Sequence, residues 1–439
     1  GGQNPSDGFL QNQFNRFEIS TTNEIVFSIW KRNYHGIGRA NFVIEKGADL
    51  LGGEEDDRVN ELIAEARFLR AYFHFELARF FENIPILDFL PATTEEAIVP
   101  QSDPEDIYAF IASDLLNAID LVPERTGTAR VSKWAAQSLL ARVYLFKKGV
   151  YGGAITTEGT TIDDAFALRQ LEDVINNSGH DLLNNYDSIF FSRNEFGVES
   201  VLEIAHEPNP IFGDWGPSVF KVEGNLAAQM MGPRVASSDI YYRGWSFGLP
   251  SHKLFLALEN DPRLSGTILT RQRILAEPGA SLIESEGYQL TGYYNFKYTT
   301  RIEDRGDGTL ELYNSSNQRV IRFSDVLLMA AELSQNADYL NRVRARVGLA
   351  TIPYSEEALF KERQLEFGGE GIRYFDLMRR GVSVMNQELN ISGIIGPNYK
   401  DADADYEVSA DLSTIRGFLP IPQLEVDLSD GVLIQNNGY

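Results

Sequence analysis

Residues 65–87 read EARFLRAYFHFELARFFENIPIL, and seven of these positions carry an aromatic or imidazole ring. Helical spacing places Leu62, Ala66, Leu69, Phe73, Leu77, Phe80 and Ile84 on one face. Phe68, Tyr72 and Phe75 make a second apolar face, offset from the first. A surface helix needs only one apolar stripe, so a helix apolar on two sides is expected to be covered by neighbours on both. That is the place of an inner helix in a stack of helical hairpins. Pro85 marks its end, and His74, beside Arg67 and Arg70, is expected on its wetter side.

The same style extends in both directions. Upstream, EIVFSIWKRNYHGIGRANFVIEKG (24–47) aligns Phe27, Trp30, Tyr34, Ile37, Asn41 and Ile44 on one helix face, apolar except for Asn41. Downstream, SDPEDIYAFIASDLLNAIDLVP (102–123) offers Ser102 or Asp103 as cap and Pro104 in the first turn. VSKWAAQSLLARVYLFKKG (131–149) pairs with DDAFALRQLEDVINNSG (163–179) as a hairpin across a Gly-rich link. The hairpin length is similar to the tetratricopeptide repeat of about 34 residues, though its consensus is not met and the helix starts are unevenly spaced. Trp30 and Trp134 are expected to be structural.

From about 180 to 320 helical periodicity fades. Gly, Pro, Asn and aromatic residues accumulate in EPNPIFGDWGPSVF (207–220), DIYYRGWSFGLPS (239–251) and GYYNFKYTTR (292–301), while VESVLEIAHE (198–207) reads as a strand. Helices resume at RFSDVLLMAAELSQNADYLNRVRARVGL (322–349) and EEALFKERQLEFGGEGIRYFDLMRRG (356–381). The fold class expected is mostly α: a tetratricopeptide-like helical hairpin array with a loop-rich, partly β region. Residues 24–178 and 323–381 would form the scaffold, 180–320 the loop-rich part and 382–439 an extended C-terminal segment, within a single unit spanning 1–439.

Composition limits the partners. A formal net charge of −24 argues against nucleic acid and anionic lipid surfaces. The chain has no cysteine, hence no disulfide, thiolate metal site or cysteine nucleophile. No apolar run is long enough to span a bilayer, and no signal-peptide pattern is visible.

Several chemical motifs fail on context. Gly244-Trp245-Ser246-Phe247-Gly248 fits the nucleophile elbow G-x-S-x-G, but no apolar strand precedes it and the last histidine, His252, follows too closely. Asp401, Asp403 and Asp405 begin like a calcium loop, yet Tyr406 and Leu412 stand where Gly and Glu are required. Glu362, Glu366 and Glu370 share one helix face, whereas a glycosidase opposes two carboxylates across a sugar; the interleaved Arg363, Arg373 and Arg379 predict structural ion pairs. The five histidines show no zinc-binding spacing, and phosphate-binding glycine motifs are missing. No catalytic residue, metal or cofactor is expected.

What remains is aromatic. Trp215, Tyr241, Tyr242 and Trp245, and then Tyr293 and Tyr294, sit among Gly, Pro and Asn where a large ring either covers the scaffold or binds something. Ring faces beside Asp239, Arg243 and Asn295 suit sugars, which offer C–H faces and hydroxyl edges.

Five stretches together resemble the SusD/RagB family, the surface glycan-binding lipoproteins of Bacteroidetes nutrient-uptake systems. They are WKRNYHGIGRAN (30–41), EARFLRAYFHFELARFFENIPIL, RFSDVLLMAAEL (322–333), ERQLEFGGEGIRYFDLMRRG (362–381) and LPIPQLEVDLSDGVLIQNNGY (419–439). Asp261-Pro262-Arg263 matches a further family segment. Asn437 replaces the family's usual Pro, and Gly368–Gly369 interrupt a helix at about 1 kcal/mol each relative to Ala, so a break is expected there. The resemblance implies a non-catalytic protein that captures an oligo- or polysaccharide and passes it to a SusC-like TonB-dependent outer-membrane transporter. It also implies an extracellular outer-membrane location through a lipid anchor, whose cysteine is not in this sequence. The acidic balance favours a neutral glycan. A RagB-like oligopeptide-binding subunit and a helical protein-interaction scaffold are the alternatives.

Overall fold

The computed structural model describes residues 8–51, 56–157, 159–206, 224–284, 291–304, 314–391 and 408–439. It opens with α1 (Phe9–Arg16), α2 (Glu24–Leu51), α3 (Asp57–Phe81), α4 (Pro104–Leu121) and α5 (Lys133–Tyr151). A small antiparallel hairpin, β1 (Ile155–Thr157) and β2 (Thr160–Ile162), leads into α6 (Asp164–Asn177). Side-chain caps start several of these helices, with Asp56 accepting from the Arg58 N–H, Ser132 from Ala135 and Asp163 from Phe166.

The doubled face of α3 is packing. α3 lies against α2 and α4, α4 against α5, and α5 against α6. On one side Phe73 fills the space left by Gly36 of α2, where any Cβ would overlap its ring. On the other, Phe75 meets Phe146 of α5 edge-on at 5.8 Å. Leu69 departs from the expected stripe and is 42% exposed. His74 departs in the opposite sense: it is fully buried, because Arg70 beside it is itself taken inside by Asp114 and Asn41, at 2.7 and 2.9 Å. Asn41, the polar exception on α2, also donates to the Leu87 and Phe89 carbonyls and so fixes the chain leaving α3.

Between α6 and the next helix of the stack lies an insertion of short elements. These are β3 (Ser200–Ile204), α7 (Leu226–Met231), β4 (Val235–Ser237), α8 (His252–Leu258), α9 (Leu264–Thr267), β5 (Ile268–Thr270), α10 (Arg271–Leu275), β6 (Ser281–Leu282), β7 (Tyr293–Asn295) and β8 (Gln318–Arg322). Its strands pair antiparallel as β3–β8, β4–β6 and β5–β7. The stack then resumes, with α11 (Phe323–Ser334) packing on α6 and α12 (Ala337–Arg346) on α11. α13 (Glu356–Glu366) packs on α11, and α14 (Arg373–Arg379) returns to α5. Gly369 and Gly371, both at positive φ, occupy the break between α13 and α14. Residues 382–389, expected in an extended tail, form α15 (Val382–Leu389), and α16 (Gln423–Leu428) lies near the end of the chain.

Ion pairs fasten the insertion to the stack. Arg322, at the end of β8, reaches Glu199 before β3, Glu366 of α13 and Glu370 beyond it, at 2.5, 2.8 and 2.7 Å. Glu366 also takes Arg346 of α12 and Arg263, while Glu362 takes Arg263 and Arg344 at 2.6 and 3.0 Å. Lys297, just after β7, donates to Glu370 and to the Glu366 carbonyl. Burial alone would raise the Glu366 carboxyl, but Arg346, Arg322 and Arg263 outweigh it and hold that carboxyl well below the usual range.

Candidate functional site

The clustered glutamates cannot act as a glycosidase pair. Glu362 and Glu366 are buried, and all three carboxylates are engaged by guanidinium or ammonium groups. Ser246 is also accounted for. It is buried at positive φ, and its Oγ accepts from the Arg234 N–H at 3.1 Å. Gly244 allows its stretch of chain to cross Gly232 so closely that a Cβ would overlap the Gly232 carbonyl. The G-x-S-x-G pattern therefore encodes a backbone crossing, and Gly244→Ala is expected to cost about 1–3 kcal/mol in a urea-unfolding measurement. An unchanged midpoint would contradict the crossing.

That crossing anchors an irregular strip of chain over residues 239–247. Its far end hangs on α7 and the turn after it. The N–H groups of Trp245 and Phe247 donate to Gln229 and Met230 carbonyls at 2.9 and 2.7 Å, and Gly244 N–H donates to Pro233 at 2.7 Å. The Gln229 side chain donates back to the Arg243 carbonyl at 2.9 Å. In the middle, Tyr242 N–H donates to Thr300 and Ile302 N–H to Ile240, both at 2.9 Å. At the near end, Glu277 accepts from the Ser238 hydroxyl and from the backbone N–H groups of Asp239 and Ile240.

The strip sorts the candidate residues. Asp239 and Arg243 are exposed, and Tyr242 and Trp245 are half-buried, all on one short run of chain. Phe247 is partly covered, since Gly8 lies against its ring. Tyr241 points inward and packs with Val235, Leu269, Ile274, Tyr294 and Phe296. Tyr293 goes to a different small core, with Leu258, Ile268 and Leu365, where its hydroxyl lies 3.0 Å from His252 Nδ1. Tyr241, Tyr293 and Tyr294 are thus 6%, 0% and 2% exposed and offer no ring face for stacking. Asn295 is occupied as well: its Nδ2 donates to the Gly369 carbonyl at 2.7 Å and its Oδ1 accepts from Tyr298 N–H, pinning the α13–α14 break. Trp215, like Asp401, Asp403 and Asp405, lies outside the described residues. Glu277, which holds the strip, carried no sequence signal, because it is brought there from the turn after α10.

The exposed charged residues of the strip, Asp239 and Arg243, are of opposite sign. Arg301 lies beneath it, stacked on Phe191 at 3.8 Å and Phe296 at 4.9 Å; burial lowers its guanidinium pKa to about 10. The arrangement places two half-buried aromatic residues between two exposed charged ones. It presents no nucleophile or opposed acid–base pair among the described residues.

Comparison with known proteins bears on the whole chain. The SusD family model matches residues 233–439, and a second model, described as starch-binding associating with outer membrane, matches residues 6–145. A solved laminarin-binding SusD-like protein aligns at 31% identity with a TM-score of 0.82, covering 100% of this chain and 91% of that one. The chain belongs to the SusD family. Other known proteins also align over most of the chain. Surface glycan-binding protein A from Bacteroides thetaiotaomicron, solved with laminarihexaose, aligns at 26% identity and a TM-score of 0.81, covering 99% of this chain and 90% of that one. A SusD-like protein of Bacteroides ovatus is 26% identical over 382 residues, which is 83% of this chain and 67% of the relative. An outer-membrane location fits this SusD-family membership, and no helix among the described residues is long and apolar enough to cross a membrane.

Proposed function

We propose that this SusD-family protein is a non-catalytic glycan-binding protein on the extracellular face of the outer membrane. It takes a neutral glucan of the laminarin type on the Tyr242–Trp245 strip and delivers it to a SusC-like TonB-dependent transporter, with a lipid anchor holding it at the surface. Trp215 joins the platform in this reading. The observation that carries it is the end-to-end similarity to a laminarin-binding SusD-like protein. The opposite charges of Asp239 and Arg243 support a neutral ligand over a polyanion.

Calorimetry tests the reading with laminarihexaose, a xyloglucan oligosaccharide, alginate oligomers and a protein digest as separate titrants. Laminarihexaose is expected to bind best. Trp245→Ala and Tyr242→Ala should each weaken it about tenfold or more, as truncation of an aromatic anchor usually does, and Trp215→Ala should act in the same direction. Unchanged affinity in the Trp245 and Tyr242 variants would refute the strip. Binding of the digest with no glycan signal would instead make the protein an oligopeptide receptor.

A further inference from the structure

Besides the 300–302 segment, which pairs with Ile240 and Tyr242 in its middle, the strip has a support at each end. One is integral to its own stretch of chain: α7, Pro233 and the Gly232–Gly244 crossing hold residues 244–247. The other comes from a single side chain on a separate segment. Glu277 follows α10, in a turn where its N–H donates to Ile274 and its carbonyl accepts from Ala280. Its Oε2 accepts from the Ser238 hydroxyl at 2.6 Å, and its Oε1 accepts from the N–H groups of Asp239 and Ile240, the latter at 3.0 Å. Ser238 Oγ in turn accepts from Ile240 and Tyr241 N–H at 3.1 and 2.9 Å.

Four donors of the chain entering the strip are therefore gathered, directly or through one hydroxyl, by one carboxylate. Hydrogen bonds to an ionised acceptor are among the stronger ones a protein makes. Packing adds little at the residues so held, although the Ile240 carbonyl also accepts from Ile302 N–H at 2.9 Å. Asp239 is exposed and Ile240 is 48% exposed, so packing does not set their path. Tyr241, the next residue, turns into the small core, and this fixes the direction in which Tyr242 and Arg243 emerge.

We propose that Glu277 is the positioning residue of the ligand strip, a clamp that sets where Asp239, Tyr242 and Arg243 stand without itself touching glycan. This rests on the strip being the glycan site. The clamp makes two separable predictions. Without ligand, Glu277→Ala should speed hydrogen exchange at the Asp239 and Ile240 amides while leaving those of Trp245 and Phe247 protected. With laminarihexaose, the same change should weaken binding about tenfold, in line with losing a charged acceptor that preorganises the site. Glu277→Gln keeps an oxygen for the two N–H groups but turns an NH2 donor toward the Ser238 hydroxyl, which needs an acceptor there, so it should recover only part of that affinity.

The decisive measurement is a double-mutant cycle. If Glu277 acts through the strip, Glu277→Ala should cost far less affinity in a Tyr242→Ala background than in the native one. Equal cost in both backgrounds, or no cost with faster exchange at Asp239 and Ile240, overturns the clamp while leaving the strip as the glycan site. If neither Tyr242→Ala nor Trp245→Ala alters affinity, the strip itself falls and the clamp falls with it.

Discussion

Arg322→Ala is expected to lower stability by about 3–5 kcal/mol, the usual cost of removing one partner from a buried ionic set. Arg322 is among the largest fully buried side chains of the protein. Its Nε donates to Glu370, its Nη1 to Glu199, Glu366 and the Ser324 hydroxyl, and its Nη2 to Glu370 and the Glu366 carbonyl. Alanine leaves three carboxylates sharing the charge of Arg346, Arg263 and Lys297. The contrast is Arg342→Ala. Arg342 pairs with Asp181 at 2.8 Å on the surface, where the two side chains are 40% and 60% exposed. Its loss should cost less than about 1 kcal/mol. Urea midpoints of the two variants decide the matter; a similar shift in both would show that the buried network contributes little.

The same network explains why a chain of net charge −24 can hold so loop-rich an insertion in place. Arg322 joins β8 and the turn before β3 to the end of α13, and Lys297 brings in the segment after β7. Burying several charges is costly in itself, and burying them fully paired resists any arrangement that would leave one unpaired. The expected consequence is a single relation between insertion and stack, and so a fixed placement of the strip.

Much of this architecture was legible because its signals are local. The two apolar faces of residues 65–87 follow from helical spacing, and Phe73 and Phe75 go to the two sides that spacing predicts. The ion-pair reading of Glu362, Glu366 and Glu370 also holds, though their main partners, Arg322, Arg263 and Lys297, come from other elements. Where reading failed, the cause was non-local. His74 looked polar beside Arg67 and Arg70, but Asp114 from α4 draws Arg70 inward. Residues 382–389 carried no strong stripe, yet they form a helix whose Met385 is buried.

The candidate site was legible as a neighbourhood and not as a list. Composition could say that rings among Gly, Pro and Asn have a purpose. It could not say which rings have their own small core to fill. Tyr293 and Tyr294 are adjacent in β7 and point into different clusters, one with Leu365 of α13 and the other with Leu269 of β5. Alternation along a strand gives opposite sides, but it cannot show that both sides are covered. Glu277 was out of reach for the converse reason, since its role depends on three donors from another segment.

Acid should weaken the fold before the carboxylates paired with guanidinium groups titrate, and His74 is the main expected source. Burial lowers its imidazole pKa to about 3; the hydrogen bond to the Arg70 carbonyl opposes this and the Arg70 charge adds to it. Its Nδ1–H donates to the Arg70 carbonyl at 2.9 Å, which leaves Nε2 to accept from the Leu87 N–H at 3.3 Å. A proton on Nε2 would remove that acceptor and place a charge beside Arg70 and against Phe110. The unfolded imidazole titrates at about 6.5, so below that pH the unfolded chain holds a proton that the folded one refuses. Stability is therefore intact above pH 6.5 and falls as pH drops toward 3, by about 1.4 kcal/mol per unit in the middle of the window. Glu366 and Asp325, held low by their guanidinium partners, add their own loss only below about pH 4.5, where the unfolded carboxylates begin to protonate. Between pH 6.5 and 4.5 the native protein should lose about 2–3 kcal/mol through His74, with His180, also lowered by burial, adding to it. His74→Gln keeps an oxygen for the Leu87 N–H and cannot titrate. Urea midpoints at pH 6.5, 5.5 and 4.5 should fall steeply in the native protein and much less in this variant, and parallel lines would show that His74 is not the group that titrates.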